Sequence, residues 1–573
     1  MQDYEESVSF LGDWGPFQRK IFFVLCITCF PCGFNILSVI FLLASPPHHC
    51  NSPVSSNLSL EWIQANISLQ VAGQTERNSC SRYELDSIRN LSAMGTSPNW
   101  MKNQSVEESM PEVLLSNLKQ EGCKDGWTYS TEYFNSTVVN EFNLVCSDQW
   151  KQPLSSLIYF LGGLSGCFIS GMISDRFGRK PVLFGSIAIL SVFSSAVAFA
   201  PSWPIFVVLF FMQGLGQIAS YIAVFVLGSE ILVGSSRVLF CSLGEPFAFV
   251  FSMMLLTATA YLVRSWRYLS LIMALPGLAC IPLWWMIPES PRWLLSHGRL
   301  QEATSLLRLA ALENRVEAPP VIFDTSKAEK TERQEPESVR FLDLLKKAKI
   351  RNITIKLWII WFSVSVSYFG LSFSTSSLYG NPYLNYFLLT AVEIPAYFAS
   401  WLAARKCPRR LSFVSFSLLG ALALFLIQVT MNSHQALTMS LVLLGKFGVL
   451  AATGMMYTYT GELSPTVIRN TAMSSCAMFS RVGSSLSPYL LEMAKFNELL
   501  PWIIIGVLSL LSVLLCIFLP ETFRKPLPDT IEQMPASQWF AWPWTSKAAL
   551  NDEGKCSKEL ECTSLEIICT TRL

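Results

Sequence analysis

The chain alternates between long apolar segments and shorter polar ones. Twelve segments carry about twenty predominantly apolar residues each, the length that an α-helix needs to cross roughly 30 Å of hydrocarbon. Several contain Gly or Pro, which membrane helices tolerate when neighbouring groups satisfy the backbone. The pattern therefore predicts an all-α membrane protein with twelve transmembrane helices. The predicted spans are 21–44, 153–173, 182–200, 204–228, 239–262, 268–287, 357–378, 383–404, 411–430, 436–460, 466–491 and 501–519.

Only two connections between the predicted spans are long. One follows the first helix and the other separates the sixth from the seventh, so the chain divides into two six-helix halves. The first span is too long for the apolar core of a cleaved signal peptide, and acidic residues precede it, so we expect it to remain as a helix. The predicted parts are a terminus at 1–20, a first half at 21–288 that includes the long loop 45–152, a second loop at 289–356, a second half at 357–520, and a tail at 521–573.

Basic residues in the short links orient these helices. The links between helices 2 and 3 and between helices 8 and 9 carry three and four Lys or Arg, whereas the 3–4, 7–8 and 9–10 links carry none. Because such residues are retained in the cytoplasm, we expect both termini and loop 289–356 to be cytoplasmic. Arg264 and Arg267, in the 5–6 link, depart from this pattern.

The long loop 45–152 has the composition of an extracellular segment. It holds five N-x-S/T sequons, so we expect glycosylation there. It also holds four cysteines, which in an oxidising compartment predict two disulfides with three possible pairings. The sequons are at Asn57, Asn66, Asn90, Asn103 and Asn135, and the cysteines are Cys50, Cys80, Cys123 and Cys146.

The composition agrees with a membrane protein and argues against several other classes. Hydrophobic residues are 51% of the chain and charged residues 14%, against about 25% charged in soluble proteins. The net charge of +1 gives no basic surface for nucleic acid. No phosphate-binding loop is present, and the four histidines are scattered without metal-ligand spacing. We therefore expect neither an enzyme nor a metal protein.

The two halves share charged motifs. Glu230 and Arg237 follow the fourth helix, and Glu462 and Arg469 follow the tenth at the same spacing. The sequences P-E-S-P-R and P-E-T-F-R follow the sixth and twelfth helices, and the offset is 232 residues in both cases. Unrelated charges that only anchor helix ends are the alternative. Two motifs at one offset favour a parallel repeat of two six-helix units, as in transporters of the major facilitator type.

The link between helices 2 and 3 resembles the signature of that superfamily. It reads G-M-I-S-D-R-F-G-R-K over 171–180, against G-x-x-x-D-R-x-G-R-R/K, and the equivalent stretch of the second half lacks the Asp. In this turn Asp175 can cap a helix and meet cations of the neighbouring half, which would favour one state of the transporter. The candidate gating residues are Asp175, Arg176, Arg179, Glu230, Arg237, Glu462 and Arg469.

Several further motifs resemble the organic ion transporter family, and most closely its organic cation/carnitine branch. They include F-L-G-D-W-G-P-F-Q-R near the N-terminus, E-S-P-R-W-L after helix 6, Y-F-G-L-S in helix 7, and E-L-S-P-T-V-I-R after helix 10. The resemblance covers about residues 1–535. It implies a secondary transporter of small organic cations or zwitterions at the plasma membrane.

Ionisable side chains inside predicted spans are candidates for function because burying them in a membrane is costly. Glu393, Lys446 and Arg481 are such residues, and Glu393 with Lys446 could equally form a structural ion pair. Arg suits bidentate capture of a carboxylate. The resemblance adds that the position of Arg481 is basic in carriers of anions and zwitterions, so we expect a substrate with a carboxylate.

A quaternary ammonium group would be bound by aromatic faces. Most aromatic residues of the chain are expected to pack or to face lipid, but seven of those in predicted spans are candidates for the site. The resemblance adds that Tyr368 and Tyr457 match positions that are aromatic in the carnitine branch. The candidates are Tyr221, Phe249, Trp361, Tyr368, Phe369, Tyr457 and Tyr459.

Gln217 and Ser220 are candidate ligands for a coupling Na⁺, the single ion that the resemblance suggests. Carnitine carriers have Asn at the positions of Cys32 and Ser220, and Cys32 is a poor ligand for a hard cation. These departures weaken the expectation of sodium-coupled uptake that the resemblance gives and favour facilitated diffusion or exchange more than the resemblance alone does. Glu245, beside Pro246, is also unlike the family, which is apolar there.

The ending Thr571-Arg572-Leu573 fits capture by a PDZ domain. Two other functions stay open. Arg481 would also suit an organic anion exchanged for a dicarboxylate, and a non-transporting sensor could retain the same fold.

Overall fold

A computed structural model describes residues 7–51, 80–93, 120–323, 348–374, 380–430, 435–465, 468–495, 497 and 499–523. Within these ranges the protein is almost wholly helical, with two small antiparallel sheets. The helices of the first half are α1 (Pro16–Ile36), α2 (Ser38–Leu42), α3 (Leu85–Ala93), α4 (Val138–Glu141), α5 (Lys151–Phe177), α6 (Arg179–Val197), α7 (Trp203–Ile231), α8 (Gly234–Leu239), α9 (Glu245–Leu262) and α10 (Trp266–Cys280). The later helices are α11 (Pro291–Ser296), α12 (Leu300–Asn314), α13 (Ala348–Phe373), α14 (Pro382–Ala391), α15 (Glu393–Lys406), α16 (Arg409–Thr430), α17 (Gln435–Leu463), α18 (Arg469–Glu492) and α19 (Leu500–Ile517). The strands are β1 (His48–Cys50), β2 (Ser81–Tyr83), β3 (Gln120–Gly122) and β4 (Trp127–Tyr129).

Eleven of the described helical segments are long and apolar enough to cross a membrane. The protein is therefore a multi-pass membrane protein. The remaining predicted span, 466–491, is helical from Arg469 onward as α18, and this helix carries Arg481 and several serines, so its composition is less apolar. It packs between α13 of its own half and α5 of the other half, a position that needs less lipid-compatible surface than the outer helices.

The buried apolar side chains form two main clusters that follow the halves of the chain. The members of one cluster come from residues 21–287, with four further aromatic residues from α13 and α14. The members of the other cluster come from residues 350–519. Each half thus has its own core, which is what rocking of two rigid units requires. The exact division at 288/289 and 356/357 stays a prediction of the sequence.

The four loop cysteines are joined as Cys50–Cys123 and Cys80–Cys146. Next to them, β1 pairs with β4 and β2 pairs with β3, both antiparallel. Arg82 is 2% exposed and pairs with Glu121 at 3.1 Å and with Asp125 at 2.5 Å. The two disulfides and this buried arginine give the described part of the loop a compact base in place of a large core.

Arg264 and Arg267, which depart from the charge pattern, fasten this loop to the helices. Arg264 donates to the carbonyl of Glu132 at 3.1 Å, and its own carbonyl accepts from Asn135 at 3.0 Å. Arg267 pairs with the carboxylate of Glu141. Burial alone would raise the pKa of Glu141, but hydrogen bonds from Arg267 and from the neighbouring indole outweigh it and lower that pKa. The two arginines therefore have local acceptors, which explains why they do not follow the rule for orientation.

Two of the predicted glycosylation sites, Asn90 and Asn135, lie in the described part of the loop, and both side chains are exposed. Asn57, Asn66 and Asn103 lie outside the described residues, as does the predicted PDZ-binding tail.

The halves meet at the end of the bundle that carries the disulfide-bonded loop, which we term the loop end. There Phe41 of α2 packs on Tyr386 with ring centroids 5.1 Å apart, and Phe134 lies 5.5 Å from Tyr383. The Tyr383 hydroxyl donates to the carbonyl of Tyr133 at 2.9 Å. These aromatic contacts close the loop end between the two halves.

Candidate functional site

A buried ion pair lies in the second half. Lys446 of α17 and Glu393, the first residue of α15, are 1% and 2% exposed, with Nζ 3.2 Å from Oε1. The Tyr368 hydroxyl donates to the same Oε1 at 2.9 Å. Among the residues that the structure describes, Glu393 Oε2 has no hydrogen-bond partner. The pair is neutral as a whole, yet it leaves one carboxylate oxygen free.

Lys446 is held from several sides. Its ammonium group lies 3.5 Å from the ring centroid of Tyr368, donates to the carbonyl of that residue at 3.4 Å, and also contacts the Ser372 hydroxyl. The amine therefore has acceptors and an aromatic face besides its carboxylate. Because its ammonium group already contacts groups on the neighbouring helices, Lys446 has a structural role, joining α13, α15 and α17, more than a role in binding an anion.

Arg481 differs from Lys446 in having no carboxylate partner. It stands in the middle of α18, is partly exposed, and forms no ion pair with any acidic residue in the described ranges. Its guanidinium lies near the Cys167 thiol of α5, a weak acceptor. Since a guanidinium has five donors, most of its capacity to bind a carboxylate remains unused.

Aromatic side chains surround the space next to Arg481. Tyr457 is 43% exposed and its ring meets that of Trp361 edge to face, with centroids 4.6 Å apart. Tyr457 lies near groups of the first half, since the charge of Glu245 and the thiol of Cys167 act on it together with Arg481. Its exposed surface therefore faces the space between the halves.

The first half contributes a second aromatic pair and a buried acid. Tyr221 of α7 and Phe249 of α9 lie with ring centroids 5.4 Å apart. The Tyr221 hydroxyl lies near the Glu245 carboxyl group. Glu245 is 1% exposed, and no described Lys or Arg forms an ion pair with it. Arg481 of the second half and Glu245 of the first half thus both lie near Tyr457.

Gln217, Ser220 and Cys32 are neighbours in the structure. The Gln217 amide nitrogen donates to the carbonyl of Cys32 at 3.2 Å, and the Cys32 thiol donates to the Ser220 hydroxyl at 3.3 Å. That hydroxyl donates in turn to the carbonyl of Gly216 at 2.7 Å. Gln217 Oε1 is buried without a partner among the described residues.

Two further polar residues of this cluster were missed from the sequence. Gln213, one turn before Gln217, donates to the Asn35 side chain at 2.8 Å, and the Asn35 carbonyl accepts from Tyr159 at 2.9 Å. Asn35 and Gln213 are both fully buried. An amide inside an apolar block is itself a signal, so both could have been found by extending the search from charged to neutral polar residues.

Comparison with known proteins identifies the family. Residues 100–534 match the model of the sugar (and other) transporter family. The organic cation/carnitine transporter 2 of Rattus norvegicus is 45% identical over 535 residues, which are 93% of this chain and 94% of that protein. Solute carrier family 22 member 4 of Mus musculus is 43% identical over 541 residues, 94% and 96% of the two chains.

The chain belongs to the solute carrier 22 family of transporters. This confirms the resemblance seen in the sequence, and it makes the protein a transporter and not an enzyme.

Solved structures agree on the fold. The xylose transporter XylE from E. coli, in an inward open conformation, matches with a TM-score of 0.54 and 17% identity over 66% of this chain and 88% of that one. The proton:xylose symporter XylE bound to 6-bromo-6-deoxy-D-glucose matches with a TM-score of 0.56 and 14% identity over 91% and 99%. The transporter therefore has the major facilitator fold.

The charged motifs of this transporter build the same clamp in both halves. The Glu289 carboxylate accepts from the backbone N–H groups of Arg179 and Lys180 at 2.9 and 3.1 Å. In the second half, Glu521 accepts from those of Arg409 and Arg410 at 2.9 and 3.0 Å. Each carboxylate thus caps the start of a helix, where unpaired N–H groups and the helix dipole favour an anion.

The side chains of the clamps also correspond. Arg179 pairs with Glu230 at 3.2 Å, and Arg409 pairs with Glu462 at 2.9 Å. Arg179 binds Asp175 at 2.6 Å, whereas Arg409, whose turn lacks the Asp, donates to the carbonyl of Ala404 instead. The repeat seen in the sequence is therefore a repeat of contacts.

The remaining candidate gating residues lie close to these clamps. Arg237 donates to the carbonyl of Leu232 at 2.9 Å, and Arg469 donates to that of Ser464 at 3.3 Å, which is the same contact at the offset of the repeat. Arg176 is exposed, with its guanidinium 5.5 Å from the ring of Phe177. Their gating roles stay predictions.

Asp175 does not cap a helix in this structure. The N-cap residue of α6 is Gly178, which has no side chain to cap the helix, and the Glu289 carboxylate accepts from the first N–H groups instead. Gly178 has φ +107°, and a Cβ there would meet the Glu289 carboxylate at 2.5 Å. Asp175 is 75% exposed and pairs within its own half. In this structure it therefore meets no cation of the second half.

Proposed function

We propose that the protein is a secondary transporter that carries small organic cations and zwitterions, of the size and chemistry of carnitine, across the plasma membrane. Alternating access would follow from rocking of the two halves around the space that Arg481, Tyr457 and Tyr221 border. The names of the relatives, organic cation/carnitine transporters, support this substrate class. The separate cores and matching clamps of the halves support rigid-body motion.

The observation that carries the proposal is the unpaired guanidinium of Arg481. A buried or half-buried Arg without a carboxylate is costly in a membrane unless a ligand supplies the missing charge. The carboxylate of a zwitterion would pair with it in the bidentate geometry that guanidinium favours. The exposed face of Tyr457, backed by Trp361, would lie against the quaternary ammonium group.

The proposed topology has twelve spans, with α18 as the eleventh, and both termini in the cytoplasm. The loop 45–152 would then be extracellular, which suits its two disulfides and the exposed Asn90 and Asn135. The clamps would lie at the cytoplasmic side, where a PDZ-domain partner could bind the tail.

The residues predicted to hold a coupling Na⁺ fit that ion poorly. A hard cation needs several oxygen ligands, but the Ser220 hydroxyl is bonded to the backbone and to the Cys32 thiol. Gln217 Oε1 is then the one uncommitted oxygen of the predicted pair. We therefore propose no transport step that runs through Na⁺ and expect facilitated diffusion or exchange.

Uptake of labelled carnitine into cells that express the protein tests the proposal. Wild type should show saturable uptake, Arg481→Asp should lose it, and Arg481→Lys should retain part of it because the charge remains but the bidentate geometry does not. Arg308→Asp is the matched control, since Arg308 is an exposed arginine of α12 outside the bundle. Its uptake should equal that of wild type.

Surface labelling must accompany each measurement. If wild type reaches the cell surface and takes up neither carnitine nor tetraethylammonium, the cation and zwitterion proposal is wrong. Uptake of a dicarboxylate by the same cells would then favour the anion exchanger, and uptake of none of the three would favour a sensor.

A further inference from the structure

Glu245 occupies an unusual place in the backbone of the first half. It is the first residue of α9 and directly follows a five-residue π-helical turn, Phe240–Gly244. Pro246 comes next and cannot donate a backbone hydrogen bond to the preceding turn. Single π turns inside α-helices occur often at functional sites because they change the direction of the following side chains. Here that turn determines where the Glu245 carboxylate points.

The carboxylate is buried and incompletely satisfied. Glu245 is 1% exposed, its Oε1 has no hydrogen-bond partner among the described residues, and the Tyr221 hydroxyl lies near the group. No described basic residue lies within ion-pair distance of it. A buried acid without a counter-charge avoids the cost of an isolated charge by remaining protonated. A ligand that brings a positive charge would favour the ionised carboxylate and bind to it.

The groups that face Glu245 are neutral or aromatic and come from both halves. Cys29 of α1 donates its thiol to the backbone carbonyl of Glu245 at 3.9 Å. Tyr221 of α7 is packed on Phe249, and Tyr397 and Tyr457 of the second half lie within range of the Glu245 charge. Aromatic faces next to a carboxylate are the surroundings that bind quaternary ammonium groups.

Tyr457 relates this acid to Arg481. Tyr457 lies near both ionisable groups, the guanidinium on α18 and the Glu245 carboxyl group on α9. An arginine and an acid from different halves of the protein thus lie near one exposed aromatic side chain. A zwitterion with separated charges would meet an opposite charge at each end.

We propose that Glu245 binds the positively charged group of the substrate while Arg481 binds its carboxylate. This inference rests on the proposed function and adds the residue that selects for the positive charge. The site would take ligands with a quaternary or protonated ammonium group, and occupancy would connect α9 of the first half with α18 of the second.

The test compares carnitine with its analogue in which a carbon atom replaces the quaternary nitrogen, so that shape and carboxylate are kept and the positive charge is lost. Inhibition of labelled carnitine uptake gives the preference for carnitine over the analogue in wild type, Glu245→Gln and Glu245→Asp. We expect wild type to prefer carnitine by about tenfold or more, the size of one charge-assisted contact. In Glu245→Gln the preference should fall to about twofold or less, with inhibition by the analogue unchanged.

Glu245→Asp keeps the charge but moves it away by one methylene group. We expect an intermediate preference in this variant, and it decides the question if the Gln variant does not reach the cell surface. A preference that stays at the wild-type value in whichever variants reach the surface would overturn the inference. An equal loss of affinity for carnitine and the analogue would also overturn it, because a structural role affects both ligands alike.

Two other outcomes separate this inference from the proposed function. If the preference is kept but the dependence of uptake on Na⁺ or pH changes, Glu245 serves an inorganic cation and the inference is wrong while the transport proposal stands. If wild type at the cell surface shows no uptake, the proposed function fails and the inference fails with it.

Discussion

The buried pair of Glu393 and Lys446 gives the sharpest prediction for stability. We compare Glu393→Gln, Lys446→Met and the double variant, which keep the approximate volume of each side chain. Removing one partner leaves a single charge in a site where both side chains are about 98% buried. Removing both leaves no charge, and an apolar or neutral replacement of a buried pair is often tolerated.

The expected magnitudes follow from the contacts of each residue. Loss of one partner of a buried pair costs about 3–5 kcal/mol. Lys446→Met should be the more damaging single change, because the remaining Glu393 then has only the Tyr368 hydroxyl, with Oε2 already unpartnered. In Glu393→Gln, the remaining ammonium group still has the Ser372 hydroxyl and the face of Tyr368. We expect the two single variants to differ by about 1 kcal/mol, one neutral hydrogen bond.

The double variant should be more stable than the Lys446→Met variant, so the coupling energy of the cycle should be about 3 kcal/mol or more. The measurement is the free energy of unfolding in mixed micelles titrated with SDS. The exposed pair Arg299–Glu302, at 2.6 Å and 48% and 57% exposed, is the control and should show a coupling of about 0.5 kcal/mol or less. A coupling below 1 kcal/mol for the buried pair, or a double variant as unstable as the sum of the singles, would refute the reasoning.

Three further predictions concern the clamps, the loop and the ion. Glu289→Gln and Glu521→Gln should each destabilise their own half by about 1.5–3 kcal/mol, because each removes a charged acceptor from two helix N–H groups, and hydrogen exchange should show the loss confined to that half. Glu141→Gln should weaken the attachment of the loop to the helices at pH 7. Because the pKa of Glu141 is lowered on folding, its carboxylate stabilises the folded protein fully above the unfolded pKa, near 4.5, and this stabilisation is lost as pH falls through the folded pKa. Hydrogen exchange in the loop should therefore become the same in wild type and variant at acidic pH. Replacing Na⁺ by Li⁺ should change carnitine uptake less than about twofold, since Gln217 offers one free oxygen; a larger loss would show that the ion site is intact.

Features that depend on local pattern could be predicted from the sequence. The apolar segments predicted the helices, because a run of about twenty apolar residues is typical of a segment that spans a bilayer or lies in a core. The matching motifs of Glu230 and Glu462 predicted a repeat, and the structure shows that these residues hold equivalent arginines. Motifs succeed here because backbone geometry at a helix start is the same wherever it occurs.

Features that depend on which residues meet in space could not be predicted in the same way. Four cysteines allow three pairings, and only the fold of the loop brings Cys50 to Cys123. In the sequence Arg267 departed from the charge pattern without explanation, and only the structure shows that it pairs with Glu141. The sequence likewise left Glu393 open between a substrate role and an ion pair, and its distance to Lys446 decides that the pair is formed in this structure.

The ionisable side chains near the interface of the halves indicate which charges the substrate carries. Glu393 and Lys446 neutralise each other. Among the described residues near Tyr457, this leaves the guanidinium of Arg481 and the Glu245 carboxyl group, which would be ionised when a cationic group binds beside it. A simple organic cation would satisfy Glu245 and leave Arg481 without a partner, and an organic anion would do the reverse. A zwitterion satisfies both, and since the two residues stand on different halves, it would also reduce the cost of bringing the halves together. We therefore expect the protein to rank zwitterions above cations or anions of equal size, and we expect that order to depend on both residues together.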